Sequence, residues 1–290
     1  MVSQSENVAV IEPVTFVVAV TSKGEILQDN FLASPCLRTQ HKHQILIQEG
    51  FVSAATAYND AIEKAVYDLI VFVHQDVILP EDWLSQLQCS LDHLEIKDPS
   101  WGVLGCGGIT RDGLGRGHVY SSGLGIIGEP FVRPAPVQTL DEIVLILKKA
   151  SALRFDEQLP NFHLYGADIC MRAASMGLGC YAISAFCVHN TQQNLILTNE
   201  FYEAYRHIKQ VWKDQLPIQT TCIRISKSNM HLYRRRCSEA YLRYVRRREF
   251  GGARVKDVPR LLEEIRAMRE QSSVPSRPPL NWRQTRGTQT

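Results

Sequence analysis

Leu69-Ile70-Val71-Phe72-Val73-His74-Gln75-Asp76 is the stretch on which the fold turns. Five consecutive apolar residues, most of them β-branched, predict a strand buried on both faces. The run then stops at a histidine and an acid. A carboxylate at the mouth of a buried strand is not comfortable there without a partner. Open α/β sheets bind ligands outside the carboxyl ends of their strands. A second run, Cys180-Tyr181-Ala182-Ile183-Ser184-Ala185-Phe186-Cys187-Val188, ends in the same way at His189-Asn190. Two strands ending in Asp76 and His189 can deliver two ligands to one cation. His74 shares a face with Asp76 if the strand persists that far, and Gln75 points away. The competing role for Asp76 is to cap the helix after Pro80, where Glu81 and Asp82 already stand.

The flanking sequence alternates between strand and helix patterns. Val14 to Val20 predicts a buried strand, and Ile45-Leu46-Ile47 a short one. Ser53 to Val66 predicts a helix with Ala54, Ala57, Tyr58, Ala61, Ile62 and Ala65 on one face and Ser53 as N-cap. Pro80 opens a helix striped by Trp83, Leu84, Leu87, Leu91 and Leu94. Val103-Leu104 follows as a strand. Thr139-Leu140-Asp141-Glu142 has the form of a capping box and predicts a helix to Lys149. Tyr165 to Met176 predicts another, stopped at Gly177. Phe201, Tyr205, Ile208 and Trp212 mark one more. Such alternation argues for a layered α/β sheet.

Residues 102–128 hold more than half of the 18 glycines. That density predicts turns, hairpins and close backbone approach. No Gly-x-Gly pair there opens a helix after a strand, which excludes a dinucleotide fingerprint.

The 290 residues, 44% hydrophobic and 21% charged, suit one large α/β domain with an extension, or two small domains. A core of that size needs no disulfide or metal for folding. The eight cysteines show no Cys-x-x-Cys spacing and read as free thiols, which suits a reducing cytosol. No signal-peptide pattern opens the chain. No apolar stretch reaches the ~18 residues that span a bilayer. The expectation is therefore a cytoplasmic protein.

In order and spacing, these pieces resemble the nucleotide-diphospho-sugar glycosyltransferases of the GT-A fold, closest to the glycosyltransferase family 2-like group. The resemblance covers roughly Val14 to Trp212. It rests on Val71-Phe72-Val73-His74-Gln75-Asp76-Val77, Arg154-Phe155-Asp156-Glu157, His163-Leu164-Tyr165-Gly166-Ala167-Asp168-Ile169-Cys170 and Val188-His189-Asn190. It implies a Rossmann-like mixed sheet flanked by helices over residues 1–215; the composition shift after Pro217 predicts a basic helical extension at 216–270, and the Pro-, Ser-, Arg- and Thr-rich end a disordered tail at 271–290.

The resemblance also implies a metal-assisted, inverting transfer of a sugar from a nucleotide-diphospho-sugar donor to an acceptor hydroxyl. Mn²⁺ or Mg²⁺ would be held by Asp76 and His189, with His74 as a third ligand. Imidazole favours Mn²⁺ somewhat. The donor would be held by Thr21, Ser22, Asn59, Gln75 and Asp76, and the catalytic base would be Asp168, with Asp156 as its rival. Three positions depart from the family pattern. His74 replaces the first acid of the metal motif, Gly166 stands where the catalytic Asp falls, and Tyr58 replaces an arginine that would neutralise phosphate. These departures keep open the alternative of a non-catalytic relative that binds a sugar nucleotide or a protein partner.

Net charge is only +2, but basic residues crowd the C-terminal quarter. Arg234-Arg235-Arg236 and Arg246-Arg247-Arg248 are interleaved with Tyr233, Tyr241 and Tyr244. A helix face packed through its tyrosines is the first expectation. A basic helix resting on the inner membrane face, near a saccharide or lipid-linked acceptor, is the second. Nucleic acid contact ranks last, since only this segment argues for it.

Overall fold

The computed structural model describes residues 12–20, 24–38 and 42–272. The first strands, β1 (Thr15–Val20), β2 (Gln44–Glu49) and β3 (Leu69–Val73), run parallel with β1 in the middle. A short helix, α1 (Glu25–Asp29), follows β1, and α2 (Ala54–Lys64) links β2 to β3. Ser53 caps α2, its hydroxyl accepting the Thr56 amide at 3.3 Å. Past β3 come β4 (Val77–Ile78), α3 (Trp83–Lys97) and β5 (Val103–Gly105). The N-cap position of α3 is Asp82, so Asp76 does not serve as its cap.

The glycine-rich stretch forms β6 (Gly107–Ile109), β7 (Gly115–Ser121) and β8 (Gly125–Gly128), joined as antiparallel hairpins. Gly128 has φ +76°, and a Cβ there would collide with the Gly117 carbonyl oxygen. Then come β9 (Ala135–Pro136), β10 (Thr139–Leu140) and β11 (Val144–Lys148). The helix predicted from the capping-box pattern is therefore corrected to two strands. Val144 to Leu147 are all buried, and a short run buried on both faces fits a central strand as well as a helix.

The rest of the chain holds α4 (Tyr165–Ser175), β12 (Cys180–Ala182), β13 (Cys187–His189), β14 (Gln193–Asn194) and α5 (Asn199–Val211). It continues with β15 (Ile218–Gln219), β16 (Arg224–Ile225), α6 (Met230–Ala240), β17 (Phe250–Gly252) and α7 (Val258–Ser272). Gly177, at φ +76°, follows α4 as expected. The predicted continuous strand at 180–188 is broken into β12 and β13, which lie in different sheets.

The main sheet has the order β2-β1-β3-β11-β5-β12-β9 and mixes parallel with antiparallel pairs. Alternate residues send their side chains to opposite faces. Val17, Ile70, Phe72, Leu145 and Leu147 meet α2, α4 and α5 on one side. Phe16, Val18, Val71, Val73 and Ile146 meet α3 on the other. This is the expected mixed α/β sheet flanked by helices. A second sheet, β10-β6-β7-β13-β4 with β8 beside β7, carries the glycine-rich strands. The C-terminal region packs onto both layers. Ile218 and Ile225 join the core of α5, and Val258, Leu261 and Ile265 of α7 cover Ile78, Phe186 and Val188.

Candidate metal centre

Two ladders meet at the end of β3. In the second sheet, β4 and β13 run antiparallel with His189 opposite Val77. The ladder continues one step, the Asn190 amide donating to the Asp76 carbonyl at 2.9 Å. In the main sheet, β11 and β3 are antiparallel with Val144 opposite Val73, and the His74 amide donates to the Ile143 carbonyl at 3.1 Å. A turn closed by the Val77 amide on the His74 carbonyl, 3.1 Å, connects the two. It is this turn, rather than an extended strand, that puts His74 and Asp76 together. Gln75 lies within it, half-buried.

One ligand atom each from His74, Asp76 and His189 lie within 4.8 Å of one another. His189 Nε2 is 3.4 Å from Asp76 Oδ1. His74 Nε2 is 2.7 Å from the Tyr165 hydroxyl, whose oxygen lies 3.4 Å from that of Tyr58. Burial by itself would raise the Asp76 carboxyl. Hydrogen bonding and positive charge from His189, with His74 and Thr191 adding to them, instead hold it well below the usual carboxylate range. Burial pushes the His74 imidazole down, against the pull of Asp76, which favours the neutral ring that can ligate a metal. One carboxylate and two imidazoles form a donor set that suits Mn²⁺. A ring nitrogen held by a second group, as Tyr165 holds His74, is the usual setting of a metal-bound imidazole. The residues fit a divalent cation.

The two expected bases have other partners. Asp168 is 0% exposed; Oδ2 accepts from Arg172 Nε at 2.7 Å and Oδ1 from Trp212 Nε1 at 2.8 Å. Both carboxylate oxygens of the expected base Asp168 are thus engaged by protein donors. Asp156 accepts from Arg172 Nη2 at 2.7 Å, His207 Nε2 at 3.0 Å and the Gln158 amide at 3.1 Å. Burial raises its carboxyl, but the His207 hydrogen bond, the Gln158 amide and Arg172 outweigh this and lower it. Asn59 is likewise engaged, clamping the Phe155 backbone through both ends of its amide at 2.9 and 3.0 Å. Thr21 and Ser22 lie outside the described residues.

Other groups at the centre went unnoticed in the sequence. The β11–β3 register sets Asp141 and Glu142 beside the turn. Asp141 Oδ1 accepts the Ile143 amide at 3.2 Å, and its charge acts on His74. Burial, then the Asp141 charge, pushes Glu142 up to about 8, against the amides at the start of α4 that hydrogen-bond to it. Burial also drives the Tyr165 hydroxyl well above its ordinary value, so it stays protonated. The capping-box pattern hid the acid pair. Arg254 approaches Asp76 Oδ2 at 3.4 Å and carried no signal, being one arginine in a basic segment.

No protein-family profile matches the chain. A protein of Fuscovulum blasticum described as ATP synthase subunits region ORF 6 is 29% identical over 154 residues, covering 51% of this chain and 61% of its own length. The chain thus spans less than two thirds of that relative. Among solved structures, a mannosyltransferase from Pyrobaculum calidifontis, in complex with GDP-Man and Mn²⁺, aligns over 93% of this chain and 78% of its own at TM-score 0.44 and 13% identity. GalNAc-T7 with UDP, GalNAc and Mn²⁺ aligns over 83% and 57% at TM-score 0.46 and 10% identity. The inositol-1-phosphate CTP transferase of T. maritima aligns over 69% and 97% at TM-score 0.40 and 10% identity. Likeness this distant leaves the chemistry to be argued from the residues themselves.

Proposed function

We propose that this chain transfers a sugar from a nucleotide-diphospho-sugar to an acceptor hydroxyl, with a divalent cation held by Asp76, His189 and His74. The single observation that carries the proposal is the convergence of these three side chains within 4.8 Å at the carboxyl end of β3. Mn²⁺ or Mg²⁺, when bound, supplies positive charge against the charge that builds on the departing diphosphate. Asp76 is ionised at any working pH, and Tyr165 keeps the His74 ring oriented. Gln75 in the turn, with Thr21 and Ser22 that follow β1 in the sequence, would bind the donor.

The acceptor proton passes to Asp141 in this proposal, since Asp156 and Asp168 are bound to Arg172. A base on the face opposite the leaving group gives inversion at the anomeric carbon. Glu142 holds its own proton near neutral pH and hydrogen-bonds the first turn of α4. Asn59, Asp156 and Asp168 keep the loop before α4 in place.

The basic extension supports a lipid-linked acceptor at the inner membrane face of the cytoplasm. Glu239, accepting from the Leu197 amide and the Tyr202 hydroxyl, and Arg235, donating to the Leu195 carbonyl, fix α6 to the body, and Arg236 stacks on Tyr202 at 4.5 Å. Tyr233, Tyr241 and Tyr244 remain exposed, so the tyrosines do not do the packing. Arginines beside exposed aromatics suit an anionic lipid surface. No helix among the described residues is long and apolar enough to cross a membrane.

Gly166 at the expected base position favours a second reading, a non-catalytic relative that binds the donor without turning it over. Thermal melting against UDP-, GDP-, CMP- and dTDP-sugars with and without Mn²⁺, followed by a transfer assay on any donor that binds, separates the two. A Mn²⁺-dependent rise in Tm with turnover supports the enzyme. A rise without turnover supports the binding protein, and no rise for any donor counts against both.

A further inference from the structure

Arg254 belongs to none of the motifs that build the candidate metal centre, yet it reaches the central carboxylate. Its Nη2 is 3.4 Å from Asp76 Oδ2, while His189 Nε2 is 3.4 Å from Oδ1. Its Nε donates to the Asn190 carbonyl at 3.0 Å, one residue past His189. The segment that carries it is fixed at the same point. Asn190, 0% exposed, accepts the Val255 amide at 2.8 Å and donates to the Val255 carbonyl and to Asn30 Oδ1, both at 2.8 Å. Upstream, β17 pairs with β14, and a Cβ at Gly252 would crowd the Gly123 backbone at 2.6 Å. Downstream, α7 packs on β4 and β13, the strands that position Asp76 and His189.

Asp76 is only 8% exposed, and a carboxylate so placed needs a positive partner. A guanidinium matches a carboxylate and a phosphate equally well. The 3.4 Å contact is longer than the ~2.7–2.9 Å of a settled charge-assisted hydrogen bond, so exchanging it costs little. The Asn190 contact through Nε holds the side chain nearby while Nη2 changes partner.

We propose that Arg254 is the resident counter-ion of the metal centre: it neutralises Asp76 when no cation is bound, yields that carboxylate to an incoming divalent cation, and turns its Nη2 to the phosphate oxygens of a nucleoside diphosphate. This rests on the reading of the site as a seat for a cation and a diphosphate. Arg254 then acts in opposite directions on the two ligands, competing with the metal and assisting the phosphate.

Calorimetric titration of the full chain tests this with MnCl₂ alone, and then with UDP and GDP in saturating Mn²⁺. Arg254→Ala should bind Mn²⁺ alone about three- to tenfold more tightly than wild type, because a competing cation is gone. It should bind the preferred diphosphate about tenfold or more weakly, because a charged hydrogen bond is lost. Arg254→Gln keeps a donor for Asn190 and is read in the same way if the alanine variant does not fold. Asp76-dependent Mn²⁺ binding that is indifferent to Arg254, or weaker without it, overturns the counter-ion role alone. Absence of Mn²⁺ binding by folded wild type overturns the metal-site reading and this proposal with it.

Discussion

Asp156 and Asp76 each sit beside a histidine and an arginine, yet one cluster is closed and the other open. Around Arg172, carboxylate oxygens of Asp156 and Asp168 accept at 2.7 to 3.1 Å from Arg172, His207, Trp212 and the Gln158 amide. Around Asp76, the charged partners His189 and Arg254 both stand off at 3.4 Å, and Thr191 adds a neutral hydrogen bond. The closed cluster has the geometry of a tie between α4, α5 and the loop before them. The open one has three ligand-type atoms gathered with no short contact between them. Residue type does not separate a tie from a site; partner distances do.

Substitutions at the two clusters should therefore fail in different ways. Asp76→Ala is expected to lower kcat/KM for the donor by about 10²–10³-fold with the melting temperature nearly unchanged, as read by transfer assay beside a thermal melt. Loss of stability in place of activity would make Asp76 a tie as well. Asp168→Ala is expected to do the reverse. It leaves the Trp212 indole without its acceptor and the Arg172 guanidinium with Asp156 alone, costing about 3 kcal/mol in denaturant unfolding while Mn²⁺ affinity stays at the wild-type value.

Glu142→Gln sharpens the contrast through pH. The Glu142 carboxyl is raised from 4.5 to about 8 in the fold. Between those values the folded chain holds a proton that the unfolded chain has released, so the group lowers stability as pH rises through that window. The glutamine keeps the acceptor for the α4 amides without the charge. It should match wild type below pH 4.5 and exceed it by on the order of 5 kcal/mol at pH 9. Equal stability at both pH values would mean that Glu142 is ionised in the fold. The smallest effect is expected at Tyr165→Phe. Freeing His74 Nε2 should weaken Mn²⁺ about tenfold, with little change in fold.

The layers of the fold were legible because apolar runs and stripes carry their period in plain sight. Leu69 to Val73, Ala54 to Lys64 and Tyr165 to Ser175 formed as expected. Val144 to Leu147 did not, since a short run buried on both faces has no period to distinguish strand from helix. The break of the run at Cys180 to Val188 was also hidden, because the handover between sheets happens inside an apolar segment. At the candidate metal centre, the strand ends pointed to Asp76, His74 and His189, whose ligand-type atoms the fold gathers within 4.8 Å. Asp141, Glu142 and Arg254 depend on register between distant strands, which no local spacing records. For Asp168 the place near a helix start was legible, and its partners, Arg172 and Trp212, are settled only by packing.

Mn²⁺ titration by electron paramagnetic resonance on wild type, Asp76→Ala and Asp156→Asn addresses the open-against-closed distinction most directly. The account predicts that one Mn²⁺ binds per chain of wild type and of Asp156→Asn, and none per chain of Asp76→Ala. Wild-type binding in Asp76→Ala, or no binding by the folded wild-type chain, would contradict it.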